Sequence, residues 1–274
     1  MGEFHTVGAI RQSIGLLLRN PMVFLKAALV WSLIDLAILL AYCVYAWRVH
    51  GGAFDIAGSF RFLAEPENFR LQSFLTAIPN TLSALAVTIL WTRFVVDGRR
   101  PPLWLQVPAG SARYFSRSLI VGFGAILAMV PGIVVARLAL ENDLTASVPE
   151  IWKNIGMGTI VVADILVVLY LAIRVWLIFP AIAMGEPLGF RQSFRLMRRA
   201  WLPLLVASLV CEMVFAVPAI LVEMVLDCLP LSGPLADAGV LAVQLAGDLL
   251  SLAGDAAVAG VAALAYRARV PRPA

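Results

Sequence analysis

Six apolar stretches, each about as long as a membrane is thick, recur along this 274-residue chain with short polar connections between them. They run over residues 22 to 47, 74 to 96, 118 to 140, 157 to 180, 202 to 226 and 239 to 265. A helix needs ~20 apolar residues to cross ~30 Å of hydrocarbon, and in lipid every backbone N–H and C=O must be satisfied internally. The pattern predicts an all-α polytopic membrane protein, with six transmembrane helices in a single domain. Composition excludes a soluble fold of this length. With 61% hydrophobic residues, 14% charged residues and a mean hydropathy of +0.91, the chain has too little charge to cover a water-facing surface.

The polar connections alternate in charge. The N-terminal segment sets Glu3 against Arg11, Arg19 and Lys26. The second connection sets Asp97 against Arg99, Arg100, Arg113 and Arg117, and the fourth sets Glu186 against Arg191, Arg195, Arg198 and Arg199. The tail adds Arg267, Arg269 and Arg272. The intervening connections are balanced or acidic: Arg48, Arg61 and Arg70 against Asp55, Glu65 and Glu67, then Glu141, Asp143 and Glu150 with a single Lys153, then Asp227 and Asp237. Lys and Arg resist translocation, so the basic side is cytoplasmic. Both termini are expected there, in a bacterial-type inner membrane. The apolar run from Ala27 to Trp47 is too long for a signal peptide, and no small-residue cleavage site follows it. In Leu40-Ala41-Tyr42-Cys43 the bulky Tyr42 argues against a lipidated cysteine. The basic residues sit beside apolar spans and form no separate module, which argues against nucleic acid as a partner despite a pI near 9.2.

Two basic segments have helical periodicity of their own. From Pro187 onward Phe190, Phe194, Met197 and Trp201 share a face, while Arg191, Arg195, Arg198 and Arg199 cover the remainder. Such a helix is expected to lie in the headgroup plane, its aromatic face in the acyl boundary and its arginines on anionic phosphates. Thr6 to Asn20 is a weaker version, with Val7, Ile10, Ile14 and Leu17 on one face, Thr6 as N-cap and Pro21 as the break. The simpler alternative makes both segments the ends of membrane helices; their prolines favour separate helices. Arg11-Gln12-Ser13 matches Arg191-Gln192-Ser193, and the same register pairs Leu16 with Leu196 and Arg19 with Arg199. Residues Ser111 to Ser118 give a fainter third echo. Three units, each an interfacial helix followed by a transmembrane hairpin, would account for the match.

The stretch from Arg174 through Trp176, Pro180 and Glu186-Pro187-Leu188-Gly189 to Arg191-Gln192-Ser193-Phe194 resembles the YciC-type bacterial integral membrane proteins. It also resembles the membrane domain attached to some glycerophosphodiester phosphodiesterases. The resemblance implies a polytopic inner-membrane protein without an established activity. The soluble phosphodiesterase barrel is absent, so lipid hydrolysis is not implied.

Signatures of chemistry are few. His5 and His50 fall on opposite sides of the expected topology, which leaves no histidine dyad or His-based metal centre. There is no G-x-S-x-G elbow and no phosphate-binding G-x-x-x-x-G-K-[ST] loop. The G-x-G of Gly156 and Gly158 opens a span and reads as helix packing. Cys43, Cys211 and Cys228 form no C-x-x-C; Cys43 and Cys228 fall near the same face, though buried thiols fit them better than a disulfide. No metal and no cofactor is expected. The candidates that remain are ionisable residues inside spans. Asp35, Glu212 and Asp248 fall near mid-membrane, Asp164 and Glu223 toward the outer side, and Asp255, Arg174 and Arg93 toward the inner side. A charge at bilayer depth costs at least ~2.5 to 3.5 kcal/mol, so each needs a partner or water. Asp255 is expected to pair with Arg174 or Arg93. Gln244, Asp248, Ser251 and Asp255 form one stripe on the sixth span, whose Gly247, Ala253, Gly254, Ala257 and Gly260 mark it as central. The sequence thus points to a non-enzymatic membrane factor contacting anionic lipid. The second reading is a small transporter or channel-like protein that uses the intramembrane acids, and the third is an intramembrane enzyme.

Overall fold

A computed structural model describes residues 5–50, 66–101, 108–141, 150–186, 188–228 and 234–270. Regular structure among them is entirely α-helical. In chain order the helices are α1 (Thr6–Arg19), α2 (Pro21–His50), α3 (Pro66–Asp97), α4 (Ser111–Glu141), α5 (Glu150–Val175), α6 (Ile178–Met184), α7 (Phe190–Leu196), α8 (Trp201–Cys228) and α9 (Pro234–Arg269). Five stretches are long and apolar enough to cross a membrane: Pro21–Val49, Ser111–Val135, Gly158–Met184, Trp201–Val222 and Asp237–Arg269, with mean hydropathies of 1.7 to 2.4. The protein is therefore a helical membrane protein. The sixth long helix, α3, is not among the five. Its described part is diluted by Pro79, Asn80, Thr81, Ser83, Thr88, Thr92 and Arg93. The connections that carry Asp55, Glu65 and Asp143 lie outside the described residues, as do Pro187 and the side chains of Glu223 and Cys228.

α9 is central. Of its apolar window 67% is buried by other helices, against 6% for α4, which shows most of its surface outward. Small residues make this placement possible: Ala253, Ala256, Ala257, Ala259, Ala262, Ala263 and Ala265 are all buried, and with Gly254 and Gly260 they let neighbouring backbones approach. α8, α3, α2 and α1 pack around it. Trp91 of α3 and Tyr266 of α9 are the largest side chains sealed in this core. α4 and α5 pair as a peripheral hairpin in which the Asp164 carboxyl occupies the space that a side chain at position 132 would need, so Gly132 is required there.

The short helices dock on the bundle through serines. In α1 the buried line is Ala9, Ser13 and Leu17, and Ser13 Oγ donates to the Ala257 carbonyl at 2.6 Å. Of the expected apolar face, Leu17 is buried and Ile10 and Ile14 pack against the core, whereas Val7 is 77% exposed; His5, not Thr6, holds the N-cap position. The physical reason for the added Ser13 is that α1 approaches α9 where Gly260 leaves room, so a small polar residue also faces inward. In α7 the counterpart Ser193 is fully buried and donates to the Arg174 carbonyl of α5 at 3.0 Å. Gln192 Oε1 reaches back to accept from the Gly189 N–H at 3.1 Å, the return half of a capping box. α7 is also shorter than expected. It ends at Leu196, and Trp201 is the first residue of α8, its ring edge-on to Tyr170 at 5.0 Å.

The two segments agree beyond the serines. In the register that pairs Ser13 with Ser193, the pairs Leu17 and Met197, Phe24 and Leu204, Ala27 and Ala207, Ala28 and Ser208, and Trp31 and Cys211 are buried at both places. Each short helix rests on the second helix of a hairpin: α7 on α5, and α1 on α9.

Candidate functional site: an arginine-lined cavity

Helix C-termini leave their last carbonyls without partners and carry the negative end of the helix dipole. At one end of this bundle several such termini converge, and arginines satisfy them. Arg93 donates from Nε to Ala183 O in the last turn of α6 at 2.8 Å and from Nη2 to Ala109 O at 2.6 Å. Arg174, only 7% exposed, donates from Nε and Nη2 to Phe194 O in α7 at 3.1 and 2.7 Å and from Nη1 to Tyr170 Oη at 2.8 Å. Its guanidinium carbon also stands 4.0 Å from the Phe194 ring centroid. Arg267 donates to Val95 O near the end of α3, and Arg269 to Leu196 O at the end of α7.

These bonds replace the pairing expected for Asp255. Arg93 and Arg174 spend their fixed forks of donors on backbone carbonyls, which supply partners a buried carboxylate would otherwise have to provide. Asp255 instead lies within electrostatic range of Glu212 on α8. The other intramembrane acids are scattered. Asp35 accepts from Ser83 Oγ at 2.8 Å, Asp248 accepts from Gln244 Nε2 at 3.1 Å, and Asp164 faces Gly132. Among the described residues no three His, Cys, Asp or Glu side chains come together as a metal site. Cys43 and Cys211 are both buried.

Arginines occupy two further settings, Arg93 being shared between capping and the second. Arg191, Arg195, Arg198 and Arg199 are exposed around α7. The aromatic face of that helix is turned onto protein: Phe190 lies under the Arg117 guanidinium at 4.9 Å, Phe194 lies under Arg174, and Met197 is fully buried. The second setting is a cavity of about 940 Å³ between the end of α3, the start of α4 and the end of α6. Arg93, Arg99, Arg113 and Arg117 line it, with Glu186 as the acid on its wall. Arg99 is 3.3 Å from Asp97, and Glu186 accepts from Tyr266 Oη. Gly110, at φ 93°, makes the left-handed turn that starts α4, so the first turn of that 31-residue helix, with the positive end of its dipole, forms part of the wall. With Arg99 beside Asp97 and Arg93 bonded to carbonyls, Arg113, Arg117 and the helix start set against the Glu186 carboxyl favour an anion. The sequence marked Arg93 as an intramembrane residue and Arg113 and Arg117 only as loop charge. Their convergence depends on the contact of α6 with α3 and α4, which no local pattern reports.

A second cavity, of about 270 Å³ and almost wholly apolar, lies deeper among α4, α5, α6, α8 and α9. Val121, Trp176, Phe179, Leu205, Leu209 and Val258 are on its walls, with Ser208 and Glu212 as its polar members. Ser208 Oγ is buried without a hydrogen-bond partner in the described structure.

Fold and site together define a helical membrane protein with a basic, anion-favouring cavity at one end of its bundle. Compared with protein-family models, curated proteins and solved structures, the chain matches none.

Proposed function

We propose that this is a six-span inner-membrane protein of bacterial type, with α3 as the sixth span and both termini in the cytoplasm, acting as a non-enzymatic factor that contacts anionic lipid. The resemblance to YciC-type proteins is consistent with such a role. One observation carries the reading: the exposed arginines of α7 and the four-arginine cavity lie at the same end of the bundle, where the Arg93, Arg174 and Arg269 bonds bring α3, α5, α6, α7 and α9 together. That end would face the anionic leaflet, where each basic residue adds about 1 kcal/mol of attraction. The shared burial of the Ser13 and Ser193 segments supports an internal repeat of helical-hairpin units. Transport would require Asp35, Glu212 and Asp248 to border a common wet path. Asp35 and Asp248 are hydrogen-bonded on different helices and Glu212 borders an apolar cavity, which favours the lipid-contact reading.

Two experiments test it. Reporter fusions at Ala274 and Ala109 should give cytoplasmic signals, and one near Ala146 should report the far side; the reverse pattern rejects the orientation. For lipid contact, spin-labelled phosphatidylglycerol should be enriched over phosphatidylcholine around the full-length protein in bilayers. Added salt should lower that selectivity, and replacing Arg191, Arg195, Arg198 and Arg199 with glutamine should bring it close to one. Equal occupancy by the two lipids at low salt would reject the proposal.

A further inference from the structure

The arginine-lined cavity and the apolar cavity are neighbours with common walls. On α4, Arg113 and Arg117 face the first, and Val121, one turn beyond Arg117 on the same side of the helix, faces the second, about 6 Å further along the axis. On α6, Ile182 and Ala183 border the first and Phe179 the second, again one turn apart. Phe179, which lines the apolar cavity, stacks on Tyr114 at 4.8 Å between centroids. Polarity changes within one helical turn, from guanidiniums to a chamber of Leu, Ile, Val, Trp and Phe. The apolar chamber extends along α8 from Leu205 to Glu212, about 10 Å of helix, and at its far end reaches about half the depth of a ~30 Å hydrocarbon core.

We infer that the two cavities form one site for a single anionic glycerolipid, its phosphate held between Arg113 and Arg117 and one acyl chain laid into the chamber between α5 and α8. This rests on the lipid-contact reading and names the ligand at a particular place. Three features favour an amphiphile. The basic cavity lies within the range of about 300–1,000 Å³ typical of ligand sites, large enough for a glycerophosphate head. Its charge is complementary to a phosphate monoanion. The chamber beside it offers little to a free anion but suits a hydrocarbon chain. A free phosphate would use the first cavity alone.

Native mass spectrometry of the full-length protein in neutral detergent, titrated with phosphatidylglycerol, phosphatidylcholine, glycerol 3-phosphate or inorganic phosphate, tests the site. One phosphatidylglycerol should be retained in preference to phosphatidylcholine. Arg113→Gln with Arg117→Gln should lower that preference by about thirtyfold, the attraction of two basic residues at an anionic surface. Ala172→Trp, which fills the chamber, should abolish retention while leaving the salt-dependent spin-label selectivity conferred by α7 unchanged. Val121→Phe is the second filling variant should the first not fold, and thermal unfolding confirms the fold of each. If the filled variants keep the lipid, or if inorganic phosphate displaces it at equal concentration, the site belongs to a free anion and the inference is overturned. In the unmodified protein, absence of the specific adduct with the α7 selectivity present would reject this site alone. Loss of both in the unmodified protein would reject the lipid-contact role as well.

Discussion

Arg174→Ala is expected to destabilise the protein by about 3 kcal/mol, the combined loss of charge-assisted hydrogen bonds and of a desolvated cation–π contact. The substitution strands the Phe194 carbonyl and loosens α7 from α5, between which the Ser193 hydrogen bond and the Tyr170–Phe194 ring contact remain. Arg174→Lys keeps the charge but cannot reproduce a planar fork that bonds Phe194 O twice and Tyr170 once, so it should recover less than half of the loss. Thermal unfolding in detergent measures both, and protease sensitivity in the Gly185–Ala200 segment should rise with the same ranking. A lysine variant as stable as the parent would show that charge alone matters and that the bidentate cap does not.

Gly260 gives the second large effect. A Cβ there would collide with Ser13 Oγ and lie 3.3 Å from Ser13 Cβ and 3.4 Å from Trp91 Nε1. Both neighbours are buried in the seam between α1, α3 and α9. Gly→Ala would ordinarily favour a helix by up to about 1 kcal/mol, but crowding of a packed seam costs about 1 to 3 kcal/mol and reverses the sign. Gly260→Ala should therefore destabilise, and Gly260→Val should do so more strongly by displacing α1. Ser13→Ala in the Gly260→Ala background should restore part of the loss. The control is Gly124→Ala in α4, where an added Cβ meets nothing within 4 Å and no loss of stability is expected. A cysteine pair across the α1–α9 seam should cross-link in the parent and fail to do so in Gly260→Val.

The bundle could be read from the chain wherever one helix carries the whole signal. The five apolar stretches are local facts, and so is the centrality of α9, because small residues at Gly254, Ala257 and Gly260 announce a helix that others approach closely. What failed were statements about which groups meet. Asp255 and Arg174 sit at similar depth, yet depth does not determine which way a guanidinium turns. The carbonyl of Phe194 captures it, and that carbonyl became available because α7 stops at Leu196, short of the Trp201 expected on its face. Val7 on the α1 face was misplaced for a related reason. Hydrophobicity ranks Val7 above Ser13, but a glycine on the partner helix decides which residue fits. The arginine cavity was invisible because its walls come from positions 93, 113 and 186, and only the fold makes them neighbours.

The Ser13–Ala257 bond joins the first helix to the last across 244 residues of chain. At a synthesis rate of about 5–20 residues per second, α1 leaves the ribosome about 12 to 49 s before the residue that receives it. During that interval α1 lacks the α9 surface that receives Ser13, and the core position of α9 is still empty. Closure of the seam between α1 and α9 therefore cannot precede the synthesis of α9. A chain cut short before α9 would leave the Ser13 hydroxyl without the Ala257 carbonyl that receives it.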